Sequence, residues 1–198
     1  MRVAFGVKAH SGWAALVVVG YNDDRLALAE RRRLELVDLK DASWAKQPYH
    51  AAEGLPTREA RQLVERGLAA AHRHAVREMR DALTRVERDG HTIDGCAVLV
   101  GTPMPDWSVE EILAVHFRMH KAEGVLFRDA LARAANECRQ RVVEIPEKEL
   151  QEYARRALGT NAGTLARQIA ALGKTAGPPW GKDQKDAALA AMIALGRV

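Results

Sequence analysis

One stretch limits the architecture of this chain more than any other: Arg2–Val19, an apolar run interrupted by a short turn containing Ser11 and Gly12. Val3–Val7 and Gly12–Val19 are rich in Val, Ala and Phe, so they read as two consecutive strands joined by a tight connection. Val17, Val18 and Val19 show no polar alternation, which predicts a strand buried on both faces. The turn carries Lys8, His10 and Ser11 and no carboxylate.

The remaining elements follow in order. Tyr21–Asp24 has turn chemistry, because Asn and Asp side chains bond their own backbone. Leu26–Asp38 alternates apolar and charged residues and reads as a third, antiparallel strand near a sheet edge. Its Arg31–Arg33 triplet reads either as a phosphate-binding patch or as a solvated strand end. Lys40–Pro56, with Pro48, Gly54 and Pro56, reads as a loop anchored by Trp44, Tyr49 and His50. Thr57 is a good N-cap for a long helix whose apolar positions recur at helical spacing up to Asp89-Gly90. Ile93–Val100 is the fourth strand, followed by a Gly101–Pro105 loop at the sheet end where ligands collect in open α/β folds. Ser108 and Glu111 stand at capping-box spacing for a helix from Val109 towards Met119. A separate helix is expected over Gly124–Arg139, then a fifth strand over Arg141–Ile145. Helices over Glu147–Leu158, Thr164–Leu172 and Lys182–Leu195 complete the chain, with Gly173 as a stop and Lys174–Gly181 as a loop.

Bulk properties bound the function only loosely. With 198 residues, 47% hydrophobic and 28% charged, the chain suits one domain spanning 1–198. A formal charge of +4 permits a nucleic-acid partner without requiring one. Cys96 and Cys138 lack CxxC partners and read as structural thiols in a reducing compartment. No signal-peptide pattern and no transmembrane-length apolar run is present, so the expected location is the cytoplasm, with no membrane partner. The nucleotide-binding and serine-hydrolase patterns GxxxxGK[ST], GxGxxG and GxSxG are missing, and so is HExxH.

Three hairpin-linked strands followed by two strands reached through helices define an α/β fold with a mixed five-stranded sheet and flanking helices. That order is the RNase H-like architecture. The segment His120–Glu137, a Gly124-initiated apolar helix, leads into Arg141–Pro146 and Lys148. The last helix opens Asp183-Gln-Lys-Asp186-Ala-Ala. These segments resemble the RuvC type of Holliday-junction resolvase, whose closing helix carries an Asp-x-x-Asp-Ala pattern. The resemblance covers nearly the whole chain in element order and about its last third in motif residues.

The resemblance implies a metal-dependent endonuclease site. Asp183 and Asp186 share a helix face, and two such carboxylates suit Mg²⁺ or Mn²⁺. Acids in a first helical turn also serve the helix dipole alone. Where the family places its first acid, on the opening strand, this chain has Lys8; where its second acid ends the fourth strand, this chain has Gly101. The leading expectation is therefore a RuvC-like protein with a degenerate metal site that binds DNA, RNA or a protein partner. An active nuclease would need substitute ligands, from His10, Glu110, Glu111, His116, His120 or Glu123. A third reading is a non-catalytic assembly module. The expected pocket comprises Lys8, His10, Ser11, Gly101, Thr102, Glu111 and Trp180, the last either a base-stacking aromatic at the cleft mouth or a plug under the final helix. A homodimer is expected from the resemblance alone. His116 and His120, at i and i+4, face the same way, a spacing that chelates transition metals or simply marks a semi-exposed face.

Overall fold

The computed structural model describes residues 1–23 and 25–196. Five strands form one sheet in the order β3-β2-β1-β4-β5. They are β1 (Arg2–His10), β2 (Trp13–Asn22), β3 (Arg25–Glu35), β4 (Thr92–Val100) and β5 (Val142–Pro146). The first three pair antiparallel, and β4 and β5 add parallel to β1. This is the RNase H-like mixed sheet expected from the element order. The Arg25–Glu35 strand lies at an edge, as its alternation predicts.

Helices cover both faces. α1 (Ala42–Ala45) and α2 (Pro48–Ala51) are single turns in the segment expected to be a loop. α3 (Thr57–Arg88) and α5 (His116–Glu137) pack on one face, with the short α4 (Val109–Leu113) ahead of α5. α6 (Leu150–Leu158), α7 (Ala162–Ala176) and α8 (Lys182–Leu195) cover the other. Both faces of β1 are thereby used. Val3, Phe5, Val7 and Ala9 enter the core under α3 and α5, while Ala4 joins the core under α8.

α8 explains its own alanine content. Every residue from Ala187 to Leu195 is buried, as expected of a helix that is apolar all round. It lies directly on β1 at Gly6, where an added Cβ would stand 1.9 Å from the Ala187 carbonyl oxygen and 2.6 Å from the Ala191 nitrogen. Only a glycine lets the two backbones approach this closely. The contact holds the middle of α8 on the middle of β1, which leaves the first turns of the helix beside the C-terminal end of the strand.

Several boundaries differ from expectation, each for a local reason. β1 runs on through Lys8, Ala9 and His10, so the hairpin turn is only Ser11-Gly12, with Gly12 at φ 83°. β3 stops at Glu35 because Leu36 and Val37 leave the ladder for the core, while the Leu36 N–H bonds the Gly12 carbonyl at 2.9 Å. The expected turn at 21–24 shrinks to its tip: Tyr21 and Asn22 belong to β2, Asp23 has φ 51°, and Asp24 lies outside the described residues. Thr57 is the first helical residue of α3, with Pro56 in the capping position. The two helices expected after β4 divide at Ala114-Val115 rather than before Gly124, because Val115 is extended whereas Gly124 sits inside a continuous α5. Helix α7 passes through Gly173, which is a packing position and not a stop: a Cβ there would meet the Trp180 ring at 2.3 Å. The two cysteines are free; Cys96 is fully buried, and burial pushes its thiol up to about 12.

Candidate functional site

The even-numbered residues of β1 define the site. Side chains alternate along a strand, so Gly6, Lys8 and His10 all face α8. Because Gly6 lets α8 settle onto the strand, its first turns bring Asp183 and Asp186 to Lys8, nearly the whole chain length away in sequence. Lys8 Nζ lies 2.7 Å from Asp186 Oδ2, 3.0 Å from Glu147 Oε1 and 3.3 Å from Asp183 Oδ1. The Lys8 side chain is 5% exposed, the acids 13–29%. Burial by itself would lower the Lys8 pKa; hydrogen bonds to Asp186 and Glu147 overcome it and hold the ammonium above its ordinary value. His10 Nε2 also stands 3.1 Å from Asp183 Oδ1, at an angle outside hydrogen-bond geometry, with its ring stacked on Trp13 at 4.4 Å.

Two further cations close the cluster. Lys182 Nζ reaches Asp186 Oδ2 at 2.5 Å, and Arg128 Nη2 reaches Glu147 Oε2 at 2.7 Å. Three carboxylates thus meet three cationic side chains. Arg128 also fills the space beside Gly101, where an added Cβ would lie 2.6 Å from its Nη1. An acid at 101 would have to displace that guanidinium. Beyond the cluster lies an open cleft of about 650 Å³, lined among others by Gly101, Thr102, Arg128, Glu147, Lys148 and Lys182. It sits beyond the C-terminal ends of β4 and β5, where the parallel strands direct a ligand.

The residues present do not fit Mg²⁺ or Mn²⁺ as a resident ion. Such an ion needs several oxygens at about 2.0–2.1 Å around an accessible centre. Here the centre of the three carboxylates is held by the buried Lys8 ammonium, and Lys182 and Arg128 supply the remaining counter-charge.

The structure gathers some expected site residues and disperses others. Lys8, His10, Asp183 and Asp186 meet directly, and Gly101 and Thr102 line the adjoining cleft. Ser11 is on the exposed turn, its Oγ donating to the Lys46 carbonyl at 3.2 Å. Glu111 is occupied as a helix cap: its Oε2 accepts from the Ser108 N–H at 2.8 Å, and its own N–H bonds Ser108 Oγ. That is the capping box the spacing predicts, and it removes Glu111 as a substitute ligand. Glu110 is paired with Arg61 at 2.6 Å, away from the cluster. Trp180 packs on α7 rather than standing as a stacking platform, half-buried against Gly173 with its Nε1 donating to the Ile169 carbonyl at 3.1 Å. Arg31 is not a free phosphate ligand; its Nη1 donates to the Gly177 and Pro179 carbonyls, each at 2.7 Å.

Glu147 and Arg128 were missed by sequence reasoning. The signal for Glu147 is its place directly after Pro146, at the end of a parallel strand. Arg128 has no such signal, because its position opposite Gly101 depends on how α5 crosses the sheet.

No protein-family model matches the sequence, and no curated protein matches it. Solved structures do. The Thermus thermophilus RuvC structure matches with 14% identity over 97% of this chain and 92% of that one, at a TM-score of 0.47. RuvC of the same organism in complex with its Holliday junction substrate matches with 13% identity, 98% and 92% coverage and a TM-score of 0.50. The fold is RuvC-like, of the RNase H type.

Proposed function

We propose that this protein is a RuvC-like binder of nucleic acid in which metal-dependent phosphodiester cleavage has been lost. The observation that carries the reading is the Lys8 ammonium, 2.7–3.3 Å from Asp186, Glu147 and Asp183. In this reading the chain supplies its own cation where a nuclease would recruit metal. The carboxylates are then structural, and Lys148, beside the already paired Arg128 and Lys182 on the cleft wall, faces a phosphate backbone. The net charge of +4 agrees with a polyanionic ligand. The similar RuvC structure was solved with a Holliday junction, which makes branched DNA the first ligand to try.

The test titrates Mg²⁺ and Mn²⁺ against the purified protein with branched and linear DNA, beside the Asp183→Asn/Asp186→Asn double variant. The expected result is binding that weakens steeply with salt, with no cleavage by either protein. Metal-dependent cleavage lost in the double variant would overturn the proposal in favour of a working nuclease. Absence of binding at low salt would overturn it in favour of an assembly module.

A further inference from the structure

A second cluster lies on the α3–α5 side of the molecule, and the carboxylate site makes no use of it. His116 and His120 occupy the first turns of α5, one helical turn apart. His50 comes from α2, in the segment whose sequence reads as a loop. The three rings converge: His50 lies 4.6 Å from His120 and 5.1 Å from His116 between centroids, and His116 lies 4.7 Å from His120. Each ring offers a nitrogen, and these three atoms all lie within 4.8 Å of one another.

Two features distinguish this group from a chance meeting of surface histidines. The first is the approach of His116 Nε2 to His120 Nε2 at 3.1 Å. Two ring nitrogens that close need a shared proton or a shared metal ion between them. Two imidazoles on one tetrahedral Zn²⁺, with Zn–N near 2.0–2.1 Å, place their nitrogens roughly 3.3 Å apart. The second is the carboxylate behind His50. Glu123 Oε2 lies 2.6 Å from His50 Nδ1, and its Oε1 accepts the His50 backbone N–H at 3.0 Å. That engages Nδ1 and leaves Nε2 as the free donor of His50. Carboxylates that fix the tautomer and aim the opposite nitrogen are the usual outer shell of a histidine-ligated metal. Glu123 is itself 7% exposed and also accepts from Gln47 Nε2 at 3.3 Å, so its position is held from several sides.

We infer that His50, His116 and His120 form a binding site for a borderline divalent transition metal of the Zn²⁺ class, with Glu123 as the positioning residue behind His50. Three neutral imidazoles suit Zn²⁺, Co²⁺ or Ni²⁺ and are poor ligands for Mg²⁺. The ion would pin α2 to α5 and leave a fourth position facing solvent, since His116 and His120 are exposed. The site opens toward a small cleft of about 270 Å³ shared by His10, His120, Glu123 and Arg128, so it adjoins the Lys8 cluster without sharing a ligand. It stands independently of the proposed nucleic-acid function.

The experiment titrates Zn²⁺ alone into the metal-free full chain by calorimetry, with Co²⁺ absorption reporting ligand geometry. One Zn²⁺ per chain is expected, with a Co²⁺ spectrum of tetrahedral nitrogen-ligated type. His116→Gln/His120→Gln, at exposed positions and checked by circular dichroism, should abolish stoichiometric binding. Glu123→Gln should retain the site with affinity lowered roughly 10–100-fold, the effect of losing an outer-shell partner. No stoichiometric Zn²⁺ binding by the wild type, or binding unchanged in the histidine double variant, would overturn the inference. Asp183→Asn/Asp186→Asn should leave Zn²⁺ binding unchanged; loss of binding there would move the metal to the carboxylates and overturn it as well.

Discussion

The two polar clusters of this molecule solve opposite problems. Around Lys8, three carboxylates converge and the chain supplies the cation, a lysine 5% exposed and in contact with all three acids. Around His120, three imidazoles converge, with the Glu123 carboxylate behind His50. The first arrangement is electrostatically complete. The second has its donors aimed at one another and, among the described residues, no lysine or arginine paired with Glu123. The difference teaches that ligand types do not by themselves define a metal site; what matters is whether the protein has already placed a counter-charge at its centre.

The strongest way to break the comparison is Gly6→Ala. The new Cβ would fall 1.9 Å from the Ala187 carbonyl oxygen, backbone that cannot swing aside. We expect a loss of at least about 3 kcal/mol in urea unfolding, because α8 must lift off β1. The lift separates Asp183 and Asp186 from Lys8, whereas the histidine cluster, built from α2 and α5 and not from α8, should still bind Zn²⁺. Lys8→Met comes next. It leaves three carboxylates facing one another, but they are partly solvated and retain Lys182 and Arg128, so about 2 kcal/mol is expected rather than the ~3–5 of a wholly buried pair.

The same substitution sharpens the electrostatics. The folded-state pKa of Lys8 lies above its ordinary value, so its contribution is fully present below about pH 10.4, the unfolded lysine value. It is lost as pH rises through the higher folded pKa. The stability difference between wild type and Lys8→Met should therefore be flat through neutral pH and shrink only in strong alkali, followed by denaturant midpoints across that range. A difference that already shrinks as pH rises from 7 to 9 would contradict the assignment of the ammonium to the carboxylates. The smallest effect is expected at Gly124, where a Cβ meets nothing within 4 Å inside a continuous helix. Gly124→Ala should stabilise by about 1 kcal/mol and leave both clusters intact, checked by thermal unfolding and Zn²⁺ titration.

Much of the fold was legible because its signals are local. The buried run Val17–Val19, the Asp89-Gly90 stop and the Ser108/Glu111 capping box each depend on neighbours in sequence. That the Lys8 turn lies near Asp183 and Asp186 was expected from strand order and the Asp-x-x-Asp helix; the ion pair itself was not. The rest depends on contacts between distant segments. Lys8 and His10 look like turn residues until the carboxylates that face them are placed. Gly173 looks like a helix stop until Trp180 is packed against it. The i, i+4 pair His116/His120 was visible, but its third member, His50, arrives from a segment with no helical periodicity and only Pro48 to start a single turn. Glu123 was visible as a possible ligand. Its role behind His50 is set by how α2 meets α5, which no local pattern encodes.

The central claim is that Lys8 occupies the place of the metal, and Mg²⁺ tests it most directly because Mg²⁺ selects oxygen ligands and leaves the histidine cluster silent. Calorimetric titration of Mg²⁺ into wild type, Lys8→Asp and Asp183→Asn/Asp186→Asn should give no specific binding to wild type and a new site in Lys8→Asp. Specific Mg²⁺ binding to wild type that disappears in the Asp183→Asn/Asp186→Asn variant would contradict the account.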